Sequence, residues 1–127
     1  MSPAGLPPRI LVVDDEPDIA ESFTDLLRSF LPDAKVEHAY TGADALRQLR
    51  DHEVDLIVTD FMMPGMNGVQ MLRKTQALSP NTPNILVTEY GADIVRKAGA
   101  PTPNRILHKP FDIAEFMGAV EAALATG

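Results

Sequence analysis

Short runs of aliphatic and β-branched residues recur along the chain at intervals typical of strands separated by helices. Four of these runs lie at residues 10–13, 56–59, 84–88 and 105–109. Because the first three contain little polar alternation, they predict strands that are buried on both faces, as in parallel sheets. A fifth run at 35–39 mixes polar and apolar residues and is predicted to be an edge strand.

Helical periodicity fills the spaces between these strands. Pro17 suits the first turn of the first helix, where its missing N–H costs nothing. The apolar face predicted for that helix consists of Ile19, Phe23, Leu26, Leu27 and Phe30. Further helix starts, marked by capping-box spacing, are predicted at Thr41, Asn67 and Asp112. The side chains predicted to point inward on the last helix are Ile113, Phe116, Val120 and Leu124.

The alternation of strand and helix predicts an α/β fold, a doubly wound five-stranded parallel sheet with helices on both faces. Residues 1–8, which include three prolines and a glycine, predict a loose leader before a single domain at 9–127. The least regular stretch is 89–104. Two helical turns are predicted there at 92–98, but the glycine and prolines that follow oppose a long helix.

Composition and charge narrow the classes of function. The 127 residues contain no cysteine, which excludes disulfides and thiolate metal sites. No apolar run reaches membrane-spanning length and no leader peptide is evident, so we expect a soluble, cytoplasmic protein without membrane insertion. Residues 1–60 hold thirteen acids against five bases. An acidic surface of this kind repels phosphates, which disfavours direct binding to nucleic acid and favours a cation or a basic partner.

Polar side chains follow four of the predicted strands at the point where each strand ends. They are Asp14, Asp15, Asp60, Thr88 and Lys109. Because the carboxyl ends of parallel strands share one edge of the sheet, these side chains are predicted to meet there. Three neighbouring carboxylates repel one another unless a cation lies between them, and oxygen ligands favour Mg²⁺. An ammonium and a hydroxyl beside them would complete a pocket for a phosphoryl group.

These motifs resemble those of a response-regulator receiver domain of the chemotaxis-regulator type over nearly the whole chain. The resemblance rests on Asp14-Asp15, on Asp60-x-x-Met63-Pro64-x-Met66-x-Gly68, on Thr88 and on Lys109-Pro110. It implies a flavodoxin-like strand order of 2-1-3-4-5. It also implies a signalling domain rather than an enzyme. Its phosphoryl donor would be a sensor histidine kinase or a phosphotransfer protein, while the output partner and the oligomeric state stay open.

The resemblance assigns a role to each site residue. Asp60 would accept the phosphoryl group. Asp15 and Asp60 would bind Mg²⁺ directly and the Met62 carbonyl would be a third ligand, whereas Asp14 would act mostly through water. Lys109, after a cis peptide bond to Pro110, would pair with the phosphoryl oxygens. Thr88 would move to hydrogen-bond one of those oxygens.

Two residues depart from the family pattern, and the connection between Ala100 and Ile106 is longer than usual. Glu89 stands where a small residue is usual, and Ile106 replaces the usual aromatic residue of the fifth strand. We therefore expect the signal to pass through residues 89–104, with Tyr90 as the moving aromatic. The positions two residues beyond Asp60 and Thr88 carry Met62, which is apolar, and Tyr90, which is bulky, so neither is expected to hold a hydrolytic water in line. This predicts slow self-dephosphorylation.

Three alternatives were weighed against this interpretation. An aspartate-dependent phosphatase needs a second acid two residues after its nucleophile, and Met62 occupies that place. A flavodoxin-like cofactor site needs a phosphate-binding first loop, which Asp14, Asp15 and Glu16 would repel. A receiver-like interaction module that signals without phosphorylation remains the alternative.

The histidines and the methionines Met63 and Met66 are predicted to have structural roles and not to bind a metal or a cofactor. The three histidines have no metal-ligand spacing and are predicted to be surface or strand residues; they are His38, His52 and His108. Met63 and Met66 are predicted to pack under the loop that follows Asp60.

Overall fold

The computed structural model describes residues 7–63, 65–89, 97 and 105–126. Its strands are β1 (Arg9–Val13), β2 (Lys35–Ala39), β3 (Leu56–Asp60), β4 (Asn84–Thr88) and β5 (Arg105–His108). Its helices are α1 (Pro17–Phe30), α2 (Gly42–Asp51), α3 (Gly68–Leu78) and α4 (Ile113–Thr126). Most of the predicted leader and of the predicted helical turns at 92–98 lie outside these described residues. None of the helices in the described ranges is long and apolar enough to cross a membrane.

The five strands form one parallel sheet in the order β2-β1-β3-β4-β5, which confirms the predicted fold and the edge position of β2. The register aligns the carboxyl ends of the strands. Val13 lies beside Thr59, Asp60 beside Val87, and Thr88 beside His108. The residues that follow each strand therefore emerge along one edge of the sheet.

Both faces of the sheet are covered, which explains why the central strands lack polar alternation. Leu11, Ile57 and Leu86 pack with α2 and α3 on one face. The next residue along β1, β3 and β4 faces the other way; Val12, Val58 and Val87 pack with α1 and α4. The strands are thus fixed from both sides, and this rigid frame positions the loops at the carboxyl edge.

The predicted helix starts are confirmed by their caps. The α1 helix begins at Pro17, and the Thr41 hydroxyl accepts a hydrogen bond from the Asp44 N–H at 3.0 Å. A full reciprocal capping box joins Asn67 and Gln70, at 2.8 and 2.9 Å. The Asp112 carboxylate caps α4 by accepting from the backbone N–H of the third residue along.

Two of the side chains predicted to point inward are exposed. Phe30, the last residue of α1, is 53% exposed, and Ile113, the first residue of α4, is 54% exposed. The buried residues of α1 are Ala20, Thr24 and Leu27, and Leu31, just after the helix, packs against the same core cluster. Phe30 therefore lies beside the buried stripe of α1. Phe111, two residues before Ile113, likewise packs against this cluster. The predicted burial of Phe30 and Ile113 was wrong.

Candidate functional site

Three carboxylates converge at the carboxyl edge of the sheet, as the sequence predicts. Each of Asp14, Asp15 and Asp60 offers a carboxylate oxygen, and these oxygens all lie within 4.8 Å of one another. Both the backbone and the side chain of Asp14 are fixed by hydrogen bonds. Its N–H donates to the Ala39 carbonyl at 3.1 Å, and its carboxylate accepts from the Glu16 N–H at 2.9 Å. The acidic cluster is therefore set by β1 and β3 and by the turn that leads into α1.

A single lysine approaches this cluster from β5. The backbone N–H of Lys109 donates to the Thr88 carbonyl at 2.7 Å, which ties the end of β5 to the end of β4. The Lys109 Nζ then lies 3.3 Å from the Asp60 Oδ1. The Lys109–Pro110 peptide bond is cis, as predicted. The Lys109 ammonium therefore forms an ion pair with the Asp60 carboxylate.

These residues line an open cleft of about 190 Å³. Its lining residues are Asp15, Glu16, Asp60, Met62, Thr88, Glu89 and Lys109. Thr88 forms part of the wall and is 1% exposed, whereas Glu16, Met62 and Glu89 lie at the open rim. Glu16 is not among the site residues predicted from the sequence, although its position directly after the Asp14-Asp15 pair is a signal for it.

A larger groove of about 330 Å³ lies at the opposite edge of the sheet, between the turn before β3 and the turn before β4. Its acids are Glu53 and Asp55, and the Asp55 carboxylate already accepts a hydrogen bond from the Arg9 N–H at 2.8 Å. The smaller cleft differs from this groove in that carboxylates and an ammonium face one another there.

Asp14 and Asp60 have a raised pKa and so hold a proton more strongly than an exposed aspartate does. Burial raises the pKa of Asp14 to about 6; the Glu16 N–H acts in the opposite direction, and the negative charge of Asp60 adds to the rise. Burial also raises the pKa of Asp60, although the Lys109 ammonium and the Met62 N–H lower it in part. Negative charge at this site is thus only partly compensated by the protein's own groups.

The donor set fits a magnesium ion. Mg²⁺ prefers oxygen ligands, commonly one or two carboxylates together with waters and phosphate oxygens. Asp15 and Asp60 can supply such carboxylates from one edge of the cleft. Burial is the main cause of the raised pKa of Asp14, and a divalent cation between the carboxylates would offset the part that comes from the negative charge of Asp60.

Burial of Asp14 makes the stability of the metal-free protein depend on pH. Its folded-state pKa of about 6 lies above the ordinary 3.8, so the charged form is disfavoured in the folded state. The free energy of unfolding should fall as pH rises from about 4 through 6 and then level off. We expect Asp14→Asn, which keeps the acceptor for the Glu16 N–H, to stabilise the metal-free protein by about 1–3 kcal/mol at pH 7.

The measurement is urea unfolding in EDTA at pH 4 and pH 7, with Asp33→Asn, a change of an exposed aspartate, as the matched control. The gain from Asp14→Asn should shrink at pH 4 and on saturation with Mg²⁺, because each of these removes the cost of the buried charge. An equal gain at both pH values would contradict this account.

Gly68 allows α3 to begin directly beneath Asp60. Its N–H donates to the Phe61 carbonyl at 2.7 Å. A Cβ added at this position would lie 2.5 Å from the Asp60 carbonyl oxygen and 2.7 Å from the Leu86 Cδ1. Because the first of these atoms belongs to the backbone, it cannot swing aside. Only glycine therefore fits between the end of β3 and the start of α3.

Gly68→Ala is expected to destabilise the fold by about 1–3 kcal/mol, the usual cost of overpacking. Gly118→Ala is the matched control, since a Cβ at that position in α4 meets nothing within 4 Å. The control should stabilise the helix by about 0.5–1 kcal/mol. Urea unfolding measures the change in the free energy of unfolding for both variants. Changes of the same sign would show that the close contacts at Gly68 do not exclude a Cβ.

The remaining predicted residues are placed as follows. Met63 is buried, and Met66 packs against the core cluster under α2 and α3, as predicted. Ile106 is half-buried and contacts the same cluster. Tyr90 and most of the segment assigned to signalling lie outside the described residues.

The predicted assignment of the histidines is also confirmed. His38 and His108 lie in strands, and His52 is exposed just after α2. The metal-ligand cluster of the described residues contains none of them.

The sequence matches the response regulator receiver domain over residues 10–121. The chain therefore belongs to this family. It is 35% identical over 118 residues to the transcriptional regulatory protein PrrA of Mycobacterium bovis, and 36% identical to the DNA-binding response regulator MtrA of Mycolicibacterium smegmatis. These alignments cover 92% and 91% of this chain but 50% of each relative, so the chain spans about half the length of the relatives it matches.

Solved structures agree with this membership. The signal receiver domain of an HD domain-containing protein from Pseudomonas fluorescens Pf-5 superposes with a TM-score of 0.85 at 31% identity, covering 94% of this chain and 95% of that one. The response regulator protein TrrA of Thermotoga maritima, solved in complex with Mg²⁺-BeF, gives a TM-score of 0.78 at 28% identity. That alignment covers 92% of this chain and 99% of TrrA.

Proposed function

We propose that this chain is the phosphoacceptor domain of a two-component system, and that Asp60 receives a phosphoryl group from a phosphohistidine. The donor would be a sensor histidine kinase or a phosphotransfer protein. The observation that carries the proposal is the position of the Asp60 carboxylate, in a cleft among two further carboxylates and 3.3 Å from the Lys109 ammonium. The proposal includes the cytoplasmic location expected from the sequence.

In the transfer, an Asp60 oxygen attacks the phosphorus atom in line with the departing imidazole. The P–O bond forms as the P–N bond breaks, and the imidazole nitrogen keeps the electron pair and takes up a proton. Positioning and charge stabilisation supply most of the catalysis in phosphoryl transfer. Lys109 can pair with the phosphoryl oxygens because its Nζ already lies beside the acceptor oxygen.

Asp15, Asp60 and the Met62 carbonyl would hold Mg²⁺, with Asp14 contributing through water. The ion would supply positive charge beside the phosphoryl oxygens. The fit of the acidic cluster to oxygen-ligated Mg²⁺ supports this assignment, and the solved complex of TrrA with Mg²⁺-BeF supports it by similarity.

The readout would begin at Thr88. Thr88 lines the same cleft as Asp60 and ends β4, the strand next to β3, and its hydroxyl would respond to a phosphoryl group bound there. Switching would then alter the binding of an output partner. PrrA and MtrA are named as regulators of transcription or DNA binding, but this chain covers half of each, and its acidic first half disfavours direct DNA contact.

The proposal is tested by incubating the protein with acetyl phosphate and Mg²⁺ and measuring the intact mass. We expect the addition of one phosphoryl group, which hydroxylamine should release because an aspartyl phosphate is an acyl phosphate. The same reaction in EDTA is the control and should give little product. No mass increase with Mg²⁺ present would favour the alternative, a receiver-like module that signals without phosphorylation.

A further inference from the structure

The most exposed methionine among the described residues lies at the reaction cleft. Met62 is 53% exposed and lines the cleft together with Asp60 and Lys109. Three of the other described methionines are nearly inaccessible and the fourth is half-buried. Their exposures are 7% for Met63, 0% for Met71 and 5% for Met117, and the half-buried residue is Met66.

Exposure decides which thioether an oxidant reaches first. A peroxide transfers one oxygen atom to the sulfur: the S–O bond forms, the O–O bond breaks, and water leaves. The product, a methionine sulfoxide, carries a polar oxygen on a side chain that was apolar. At Met62 this change would occur at the rim of the cleft, two residues from the phosphoacceptor, while the core methionines would be protected.

Met62 is also tied closely to Asp60 through its backbone. Its N–H donates to the Asp60 carboxylate and helps to lower the pKa of that group. A new hydrogen-bond acceptor on this residue would therefore lie near the aspartyl phosphate. Hydrolysis of that phosphate requires a water held in line with the phosphorus, and the thioether is only a weak acceptor for such a water.

We propose that Met62 is an oxidation site for peroxide-class oxidants, and that its sulfoxide shortens the lifetime of the phosphoryl group on Asp60. The lifetime part of this inference rests on the proposed function. The sulfoxide oxygen would hold the hydrolytic water, so that oxidation links the redox state of the surroundings to the duration of the signal. Reduction of the sulfoxide by a methionine sulfoxide reductase would restore the long lifetime.

The site of modification is tested by limited treatment of the full chain with hydrogen peroxide, followed by peptide mapping. We expect sulfoxide at Met62 to form before sulfoxide at Met63, Met71 or Met117. Oxidation of Met62 at the same rate as these core residues would overturn the proposal. This measurement does not depend on phosphorylation.

The functional effect is tested by loading the protein with acetyl phosphate, removing the donor and following the loss of the phosphoryl group by intact mass. The oxidised sample should lose it about tenfold faster than the untreated one. This is less than the roughly 10²-fold contribution of a positioned acid or base, because a sulfoxide can orient a water but cannot remove its proton.

Met62→Leu is the matched control, since leucine has a similar volume and no sulfur. Each protein is compared with its own untreated sample, and the ratio of decay rates should be near one for Met62→Leu. Met62→Asn should show fast decay without any oxidant, because its amide can hold the water.

Equal ratios in the wild type and in Met62→Leu would overturn the role of Met62. Failure of the untreated wild type to accept a phosphoryl group would instead refute the proposed function, and the lifetime effect with it. The peptide map would still decide whether Met62 is the preferred oxidation site.

Discussion

Asp60→Asn is expected to abolish phosphorylation by acetyl phosphate and by a histidine kinase. The carboxylate at the end of β3 is the only group of the acidic cluster that both contacts the Lys109 ammonium and ends the central strand. A carboxamide is a far weaker nucleophile and carries no charge to bind a cation. The intact mass of the variant should therefore stay unchanged under conditions that label the wild type fully.

The control for this variant is Asp33→Asn, which removes an exposed aspartate in the turn between α1 and β2. It should be labelled like the wild type. Circular dichroism and urea unfolding of both variants would show that the fold is retained. Labelling of the Asp60 variant to the wild-type level would show that another residue accepts the phosphoryl group and would refute the assignment.

Lys109→Met should slow phosphorylation by about 10²–10³-fold, the usual cost of removing one preorganised group that stabilises transition-state charge. Methionine keeps most of the length of the side chain and loses only the ammonium. Without that charge, the negative phosphoryl oxygens would approach three carboxylates, and among the described residues no other ammonium or guanidinium forms a salt bridge with Asp60. The rate of labelling by acetyl phosphate at saturating Mg²⁺ measures the effect.

A second measurement separates this role from a structural one. Removing a positive charge from the acidic cluster should leave the affinity for Mg²⁺ unchanged or raise it, because the cation would no longer be repelled by Lys109. Lys74→Met, which changes an exposed lysine in α3, is the control and should alter neither quantity. A parallel loss of Mg²⁺ affinity and labelling in Lys109→Met would indicate a collapsed site rather than a missing ammonium.

The departures from the family pattern define where this domain would differ from its relatives. Glu89 lies at the rim of the cleft and adds negative charge where a small residue is usual. Ile106 contacts the core cluster of α2 and α3 and has no ring that could swing in response to Thr88. Because of these two residues, we expect the signal to reach the output partner through the segment that follows β4.

The sequence by itself determined the order and type of the described elements and which polar side chains stand at the strand ends. Runs such as 56–59 have no polar alternation because both faces of β3 are covered, and caps such as Asn67–Gln70 are local hydrogen bonds that neighbouring residues specify. The position of an acid, a hydroxyl or a lysine at the end of a strand is also a property of the sequence. Parallel pairing then brings all of them to one edge.

Only the tertiary structure decided which side chains the packing covers and what charge the site can hold. Phe30 and Ile113 fit the apolar periodicity of their helices, but at those helix ends Leu31 and Phe111 pack against the core cluster while Phe30 and Ile113 stay exposed. The raised pKa of Asp14 and the burial of Thr88 depend on how closely neighbouring strands and loops enclose them. The exposure of Met62 beside the buried Met63 likewise depends on the path of the loop. Solvent access is a property of the whole packed molecule, and no local pattern in the sequence specifies it.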